Sequence, residues 1–109
     1  EKDYEEYKVA LQLNDPYTNS WNNKGYEAIN LGLYDDAIEA LNKAITLEPT
    51  NSNAWFNRAC AYSFNNDKPN MLENLKKAIQ LNPAFKAQAK TTSWLANFKD
   101  DEDFKKLVE

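Results

Sequence analysis

The stretch AITLEPTNSNAW, from Ala44 to Trp55, is echoed further along the chain by AIQLNPAFKAQA, from Ala78 to Ala89. Both stretches read Ala-Ile-x-Leu-x-Pro in the same register. A fixed period of this size is the sequence signature of a repeat architecture, in which each unit is one supersecondary element. The duplication therefore predicts a stack of similar units.

The interval that separates Ala44 from Ala78 also relates many other positions, among them Trp21 and Trp55. The further pairs are Asn23 and Asn57, Leu41 and Leu75, Lys43 and Lys77, Leu47 and Leu81, and Pro49 and Pro83. Extrapolated backwards, the period makes the segment Ala10-Leu11-Gln12-Leu13-Asn14 a third copy, with Asp15 inserted before Pro16. So many coincidences at one spacing indicate a true internal repeat.

Within each period the apolar residues are spaced as on an amphipathic helix. Ala37, Leu41 and Ala44 follow the i, i+4, i+7 pattern, and no segment reads convincingly as a strand. The sequence predicts seven helices, at residues 2–14, 18–31, 35–48, 52–65, 69–82, 86–98 and 101–108.

Turn and stop signals separate these helices. Gly32 can supply a positive φ, and Asn66, which stands at the equivalent position, is the next most tolerant residue type. Pro49 and Pro83 end the helices that precede them, because proline disfavours a helical residue before it. Each unit is therefore expected to be a helix–turn–helix.

These residues resemble the tetratricopeptide repeat (TPR) family, whose unit is a helix–turn–helix of about 34 residues. The motif reads Trp21, Lys24, Gly25, Ala28, Ala37, Leu41, Ala44 and Pro49 in the first full copy, and Trp55, Arg58, Ala59, Tyr62, Met71, Leu75, Ala78 and Pro83 in the second. The resemblance implies an all-α fold, a right-handed α-α superhelix (TPR solenoid) of stacked hairpins. It also implies four parts: the second helix of a truncated repeat at 1–16, repeats at 18–51 and 52–85, and a degenerate repeat with C-terminal capping helices at 86–109.

In the TPR family the first helices of the repeats line a concave groove that binds peptides or partner helices. By resemblance, the contact residues here are Asn22, Asn23, Tyr26, Asn30, Asn53, Phe56, Asn57, Cys60, Phe64, Lys90, Trp94 and Asn97. Asparagine can pair with a peptide backbone because it carries a donor and an acceptor, and aromatic side chains are the usual anchors. Lys90 and Trp94, four residues apart, are expected on one helix face.

Two narrower interpretations concern the asparagines. Asn23 and Asn57 resemble the asparagine ladder of O-linked N-acetylglucosamine transferases, although asparagine is also common at that TPR position. Asn57 further resembles the asparagine of TPR modules that clamp a C-terminal carboxylate. The clamp is not expected, because Asn22 and Tyr26 stand where it requires a lysine and an asparagine.

Composition excludes several function classes. The net charge is −4 and the pI is near 4.9, which disfavours binding to nucleic acid. No apolar run reaches the roughly 20 residues that a membrane span needs. The chain has no histidine, so Ser-His-Asp, Cys-His and His-containing zinc sites cannot form, and its two glycines are too few for a phosphate-binding loop. We therefore expect no enzymatic activity, no cofactor and no metal. The sole cysteine, Cys60, is expected to pack as a small apolar group.

The expected function is a noncatalytic protein–protein interaction module that binds a peptide or partner helix, within a larger scaffold protein. Two alternatives stay open: self-association through an exposed N-terminal helix at 2–14, and a noncatalytic part of a multidomain enzyme. A homo-oligomer is not the favoured assembly. The sequence begins at Glu1 without an initiator methionine, so we expect a fragment of a longer, cytoplasmic protein.

Overall fold

The structure, a computed structural model, describes residues 18–109. The predicted helix at 2–14 and the truncated repeat at 1–16 lie outside the described residues and stay predictions. The described part is all-α, with no strand between residues 18 and 109. Its helices are α1 (Thr18–Asn30), α2 (Tyr34–Leu47), α3 (Ser52–Phe64), α4 (Lys68–Leu81), α5 (Phe85–Thr91), a 3₁₀ helix (Ser93–Phe98) and α6 (Glu102–Val108).

The turns that close the first two hairpins are built alike. Gly32 has φ of 79° and Asn66 has φ of 58°, so both take the left-handed conformation that the sequence predicts for them. At each turn, the residue after the left-handed one donates its backbone N–H to the carbonyl five residues earlier. Leu33 donates to Ala28 over 2.8 Å, and Asp67 donates to Tyr62 over 2.9 Å. These bonds satisfy carbonyls at the helix end and reverse the chain.

Side-chain caps begin the later helices. The Asn51 side chain accepts from the backbone N–H of Ala54 and starts α3, and Asp67 accepts from Asn70 and starts α4. A side-chain oxygen at this position satisfies one of the backbone donors that the first helical turn leaves free. The bounds of all four helices, α1 to α4, lie within one residue of the predicted ones.

The helices stack in chain order. α1 packs on α2, α2 on α3 and α3 on α4, while the first helices of successive hairpins, α1 and α3, also touch. The core between them is centred on Leu41, Met71 and Leu75, all without solvent exposure. None of the described helices combines the length and apolar character that crossing a membrane requires.

The prediction of one helix over 86–98 is wrong. α5 ends at Thr91, and Thr92 is extended, with φ of −73° and ψ of 136°. The Thr92 hydroxyl accepts from the backbone N–H of Trp94 and so caps the following 3₁₀ helix. Threonine competes with helix formation in this way, and its branched side chain is unfavourable within a helix.

The last helix, α6, packs against α4 and α5. Its apolar side is buried through Phe104 and Val108. Asp101 caps its first turn and also pairs with Lys68 of α4, with 2.8 Å between the carboxylate oxygen and Nζ. The predicted helix at 101–108 is therefore present, and it is tied to the second hairpin.

Candidate functional site

The predicted contact residues of α1 lie on the side of the helix that faces away from the core. The opposite side is buried, through Trp21, Gly25, Ala28 and Ile29. Asn23, Tyr26 and Asn30 are exposed, and Asn22 is half-buried. The Tyr26 side chain is 48% exposed, whereas Leu31 and Leu33, in the turn after the helix, are more exposed still.

Helix α3 carries fewer accessible groups than predicted. Asn53 is exposed, and Asn57 and Phe64 are half-buried. The structure turns Phe56 and Cys60 into the core, where neither offers surface to a ligand. Sequence reasoning placed both on the binding side by resemblance alone.

Both buried residues of α3 have clear packing roles. Phe56 stacks on Phe85 with 4.6 Å between ring centroids, and so joins α3 to the start of α5. Burial raises the pKa of the Cys60 thiol, which disfavours the thiolate. Cys60 therefore packs as a small apolar group, as predicted.

A hydrogen bond links α1 to α3 on the accessible side. Asn57 Nδ2 donates to Asn22 Oδ1 over 3.0 Å. Asn23, the periodic equivalent of Asn57, is instead exposed. The two asparagines that the period relates thus differ in environment, since the amide of Asn57 bonds within the protein and that of Asn23 faces solvent. We call the accessible surface of α1 and α3, with Asn22, Asn23, Tyr26, Asn30, Asn53, Asn57 and Phe64, the α1–α3 face.

Aromatic rings from four elements meet on the α1–α3 face. The centroids of Tyr26 and Trp94 are 5.0 Å apart, and Trp94 meets Phe64 edge-on at 6.3 Å. Phe64 in turn stacks on Tyr34 of α2 at 4.7 Å. We call these four residues the aromatic cluster. Sequence reasoning missed Tyr34, because its contact with Phe64 depends on how the two hairpins pack.

Lys90 and Trp94 do not share a helix face, because α5 ends between them. Lys90 is exposed and lines a cleft beside α6 together with Lys99 and Lys105. Asn97 is exposed but tied to α3, since its Nδ2 donates to the carbonyl oxygen of Ser63 over 3.4 Å. The structure therefore brings Trp94 to the α1–α3 face, holds Asn97 against the end of α3 and leaves Lys90 elsewhere.

A polar network that sequence reasoning did not predict lies between α2, α3 and α4. Arg58 donates from Nε to Asn74 Oδ1 at 2.6 Å and from Nη1 to Asn42 Oδ1 at 2.7 Å. Its guanidinium carbon lies 4.8 Å from the centre of the Trp55 ring. Burial lowers the pKa of Arg58, while Tyr62 and Glu73 act in the opposite direction. The network joins helices and presents no reactive group.

Chemically, the α1–α3 face can hydrogen-bond and pack. Among residues 18–109, no three His, Cys, Asp or Glu side chains converge so that they could hold a metal ion. The amides supply paired donors and acceptors, and Tyr26 supplies apolar contact area with a polar tip. Both kinds of group make non-covalent contacts.

Comparison with known proteins identifies the fold. Two family models described as "Tetratricopeptide repeat" match residues 18–51 and 40–73, which together make up more than half of the chain. The chain belongs to the tetratricopeptide repeat family. The expectations of a TPR fold and of an all-α chain of helical repeats are thereby confirmed.

Curated TPR relatives are much longer than this chain. "Tetratricopeptide repeat-containing protein trd-1" of Caenorhabditis elegans is 27% identical over 82 residues, 75% of this chain and 11% of that protein. "Sperm-associated antigen 1" is 32% identical in Rattus norvegicus and 31% in Mus musculus, each over 84% of this chain and 10% of the relative. The chain thus spans about a tenth of these relatives. TPR repeats are in general noncatalytic modules of protein–protein interaction.

Proposed function

We propose that this chain is a noncatalytic module that binds an extended peptide or a partner helix on the α1–α3 face, as part of a larger scaffold protein. The observation that carries the proposal is the exposed Tyr26 ring among accessible asparagines. The Tyr26 ring is 48% exposed and belongs to the aromatic cluster, so it offers apolar contact area to a ligand directly beside exposed amide groups.

The chemistry of the face favours polypeptide over other ligands. Asn23, Asn30 and Asn53 are exposed and can each pair with one peptide unit of a ligand. Tyr26 would supply the anchor, because aromatic side chains carry much of the energy of protein interfaces. Stacked hairpins in turn provide an extended concave surface.

Selection from a displayed random-peptide library, with the unmodified chain as bait, tests the proposal. Selected peptides are expected to bind in calorimetry, and Tyr26→Ala should weaken binding by about 2 kcal/mol or more, a loss of about thirtyfold. Gln80→Ala is the matched control, since Gln80 is exposed on α4, away from the α1–α3 face. If no peptide is selected, or if both variants weaken binding equally, the proposal fails.

The asparagines allow a second test that separates binding from stability. Asn23→Ala should weaken peptide binding and leave the thermal midpoint unchanged, because Asn23 is exposed. Asn57→Ala removes the bond to Asn22 and should also lower the unfolding free energy by about 0.5–1.5 kcal/mol. A large loss of stability in Asn23→Ala, with binding intact, would show that this asparagine is structural.

Two alternative functions concern residues 2–14 and further domains of a larger protein. Self-association through residues 2–14 predicts a sedimentation coefficient that rises with protein concentration, and a strict monomer at high concentration excludes it. Membership in a multidomain enzyme is compatible with the module itself being noncatalytic. The absence of histidine from the chain supports that noncatalytic role.

A further inference from the structure

The contact between Tyr26 and Trp94 joins positions that a regular stack would keep apart. Trp94 lies two full periods after Tyr26 in the sequence. In repeat proteins each unit contacts only its neighbours, so positions two periods apart do not meet. Here the ring centroids are 5.0 Å apart.

The break at Thr92 makes this contact. Because Thr92 is extended, residues 93–98 leave the direction of α5 and pack against α3. Leu95 is buried, and Asn97 donates to the carbonyl oxygen of Ser63. Trp94 thereby reaches across α3 and places its indole ring against both Tyr26 and Phe64.

The residue between the two rings in the repeat pattern is small. Cys60 stands one period after Tyr26 and one period before Trp94, and it is fully buried. The period therefore puts a small, buried residue between the sequence positions of the two rings that meet.

We propose that the Trp94 ring is a built-in ligand of the α1–α3 face, which a partner peptide displaces by inserting its own aromatic side chain between Tyr26 and Phe64, while Leu95 keeps the 3₁₀ segment on the core. This inference rests on the proposed function and specifies its partner. Trp94 shows what the site accepts: a large ring that is tilted by 47° against Tyr26 and meets Phe64 edge-on. Both centroid distances lie within the range of favourable aromatic pairs.

Occupation of the site by the chain's own Trp94 ring has a measurable effect on the affinity for a partner peptide. A ligand that binds only the open form has its apparent affinity reduced by the fraction of molecules that are open. If the Trp94 ring occupies the site in about nine of ten molecules, its removal should tighten peptide binding about tenfold. A segment that merely caps the core would have no such effect.

The probe for this test is the chain's own sequence TTSWLANFKD, residues 91–100, as a labelled synthetic peptide. Fluorescence anisotropy measures its binding to the unmodified chain, to Trp94→Ala and to the control Gln80→Ala. We expect Trp94→Ala to bind about tenfold more tightly than the other two. A second peptide, with alanine in place of its tryptophan, should bind none of them. Equal affinities, or binding that does not need the peptide's tryptophan, would overturn the proposal.

A measurement on the unmodified chain avoids dependence on the folding of a variant. The nuclear Overhauser effect between the Tyr26 and Trp94 rings should be present in the free protein and disappear when a library-selected peptide saturates it. If selected peptides bind while this signal persists, the displacement proposal fails and the proposed function stands. If no library peptide binds the unmodified chain or Trp94→Ala, the proposed function itself fails.

Discussion

Gly25→Ala is the substitution whose cost can be worked out most directly from the structure. An ideal Cβ at Gly25 would lie 2.6 Å from Leu41 Cγ and 2.7 Å from Leu41 Cδ2. Carbon atoms in favourable contact are about 3.5–4.0 Å apart. Leu41 has no exposed surface, so its side chain cannot turn towards solvent to make room. The α1 and α2 backbones must therefore move apart, or Leu41 must take a strained rotamer.

Two opposing effects set the magnitude. Inserting a methyl group into a packed core costs about 1–3 kcal/mol, whereas alanine in a helix interior is better than glycine by about 1 kcal/mol. Since the clash involves the branch point of Leu41 and not its flexible end alone, we expect the upper part of the range. The net loss should be about 1–2 kcal/mol, which lowers the thermal midpoint by about 4–8 °C per kcal/mol in a domain of this size.

A double-mutant cycle measured by urea denaturation tests the cause. Leu41→Ala alone should cost about 2–5 kcal/mol, through lost burial and the cavity that it leaves. In the double variant the new methyl group enters that cavity, so the combined loss should be smaller than the sum of the single losses by about 1 kcal/mol or more. Additivity to within about 0.5 kcal/mol would refute the clash.

The second repeat supplies a matched control. Ala59 and Leu75 stand one period after Gly25 and Leu41, and both are fully buried. A Cβ is already accommodated at Ala59, so Ala59→Gly should lower stability by at least about 1 kcal/mol, through lower helix propensity and the loss of a buried methyl group. Opposite preferences at equivalent positions are thus expected, and a stabilising Gly25→Ala would contradict the reasoning.

Three further predictions concern individual side chains. Arg58→Ala removes the donor to Asn74, which is 3% exposed, and should lower the unfolding free energy measured in urea by about 1–3 kcal/mol. Arg58→Lys should recover part of this loss, and an unchanged urea midpoint would contradict a structural role. Cys60 should not react with a thiol reagent at about pH 8 until the chain is unfolded, because burial raises the pKa of its thiol, and rapid reaction of the folded protein would disprove this. The ion pair with Lys68 holds the pKa of Asp101 below its usual value. The contribution of this carboxylate to stability is therefore present above about pH 4 and is lost as the pH falls through the folded-state pKa. Asp101→Asn should flatten the acid side of the stability profile, and an unaltered profile would argue against the pair.

The features that depend on local chemistry were predictable from the sequence. The positive φ of Gly32 and of Asn66 follows from the conformational tolerance of these two residue types, and the period placed both at the same point of the hairpin. The burial of Leu41 and Leu75 follows from helical spacing in the same way. These are short-range or periodic signals, which one sequence contains in full.

The break at Thr92 was not predictable from hydrophobic spacing, because Trp94, Leu95 and Phe98 fit a helical stripe as well as they fit the 3₁₀ segment. What decides the structure is the hydroxyl of Thr92, which caps Trp94, together with packing on α3. The burial of Phe56 has a similar origin, since it depends on Phe85 arriving from the next hairpin. Contacts of this kind join helices that are far apart in the sequence, whereas hydrophobic spacing describes one helix at a time.

The candidate site arises where the repeat pattern is broken. Tyr26, Cys60 and Trp94 are equivalent by period, yet the first is exposed, the second is buried and the third is half-buried. A strict repeat would give all three the same environment, because each unit would meet the same neighbours. The regular positions, such as Leu41 and Leu75, therefore build the stack. The irregular positions give this stack a surface of its own, because Cys60 is small and buried where Tyr26 and Trp94 bring their rings to 5.0 Å of each other.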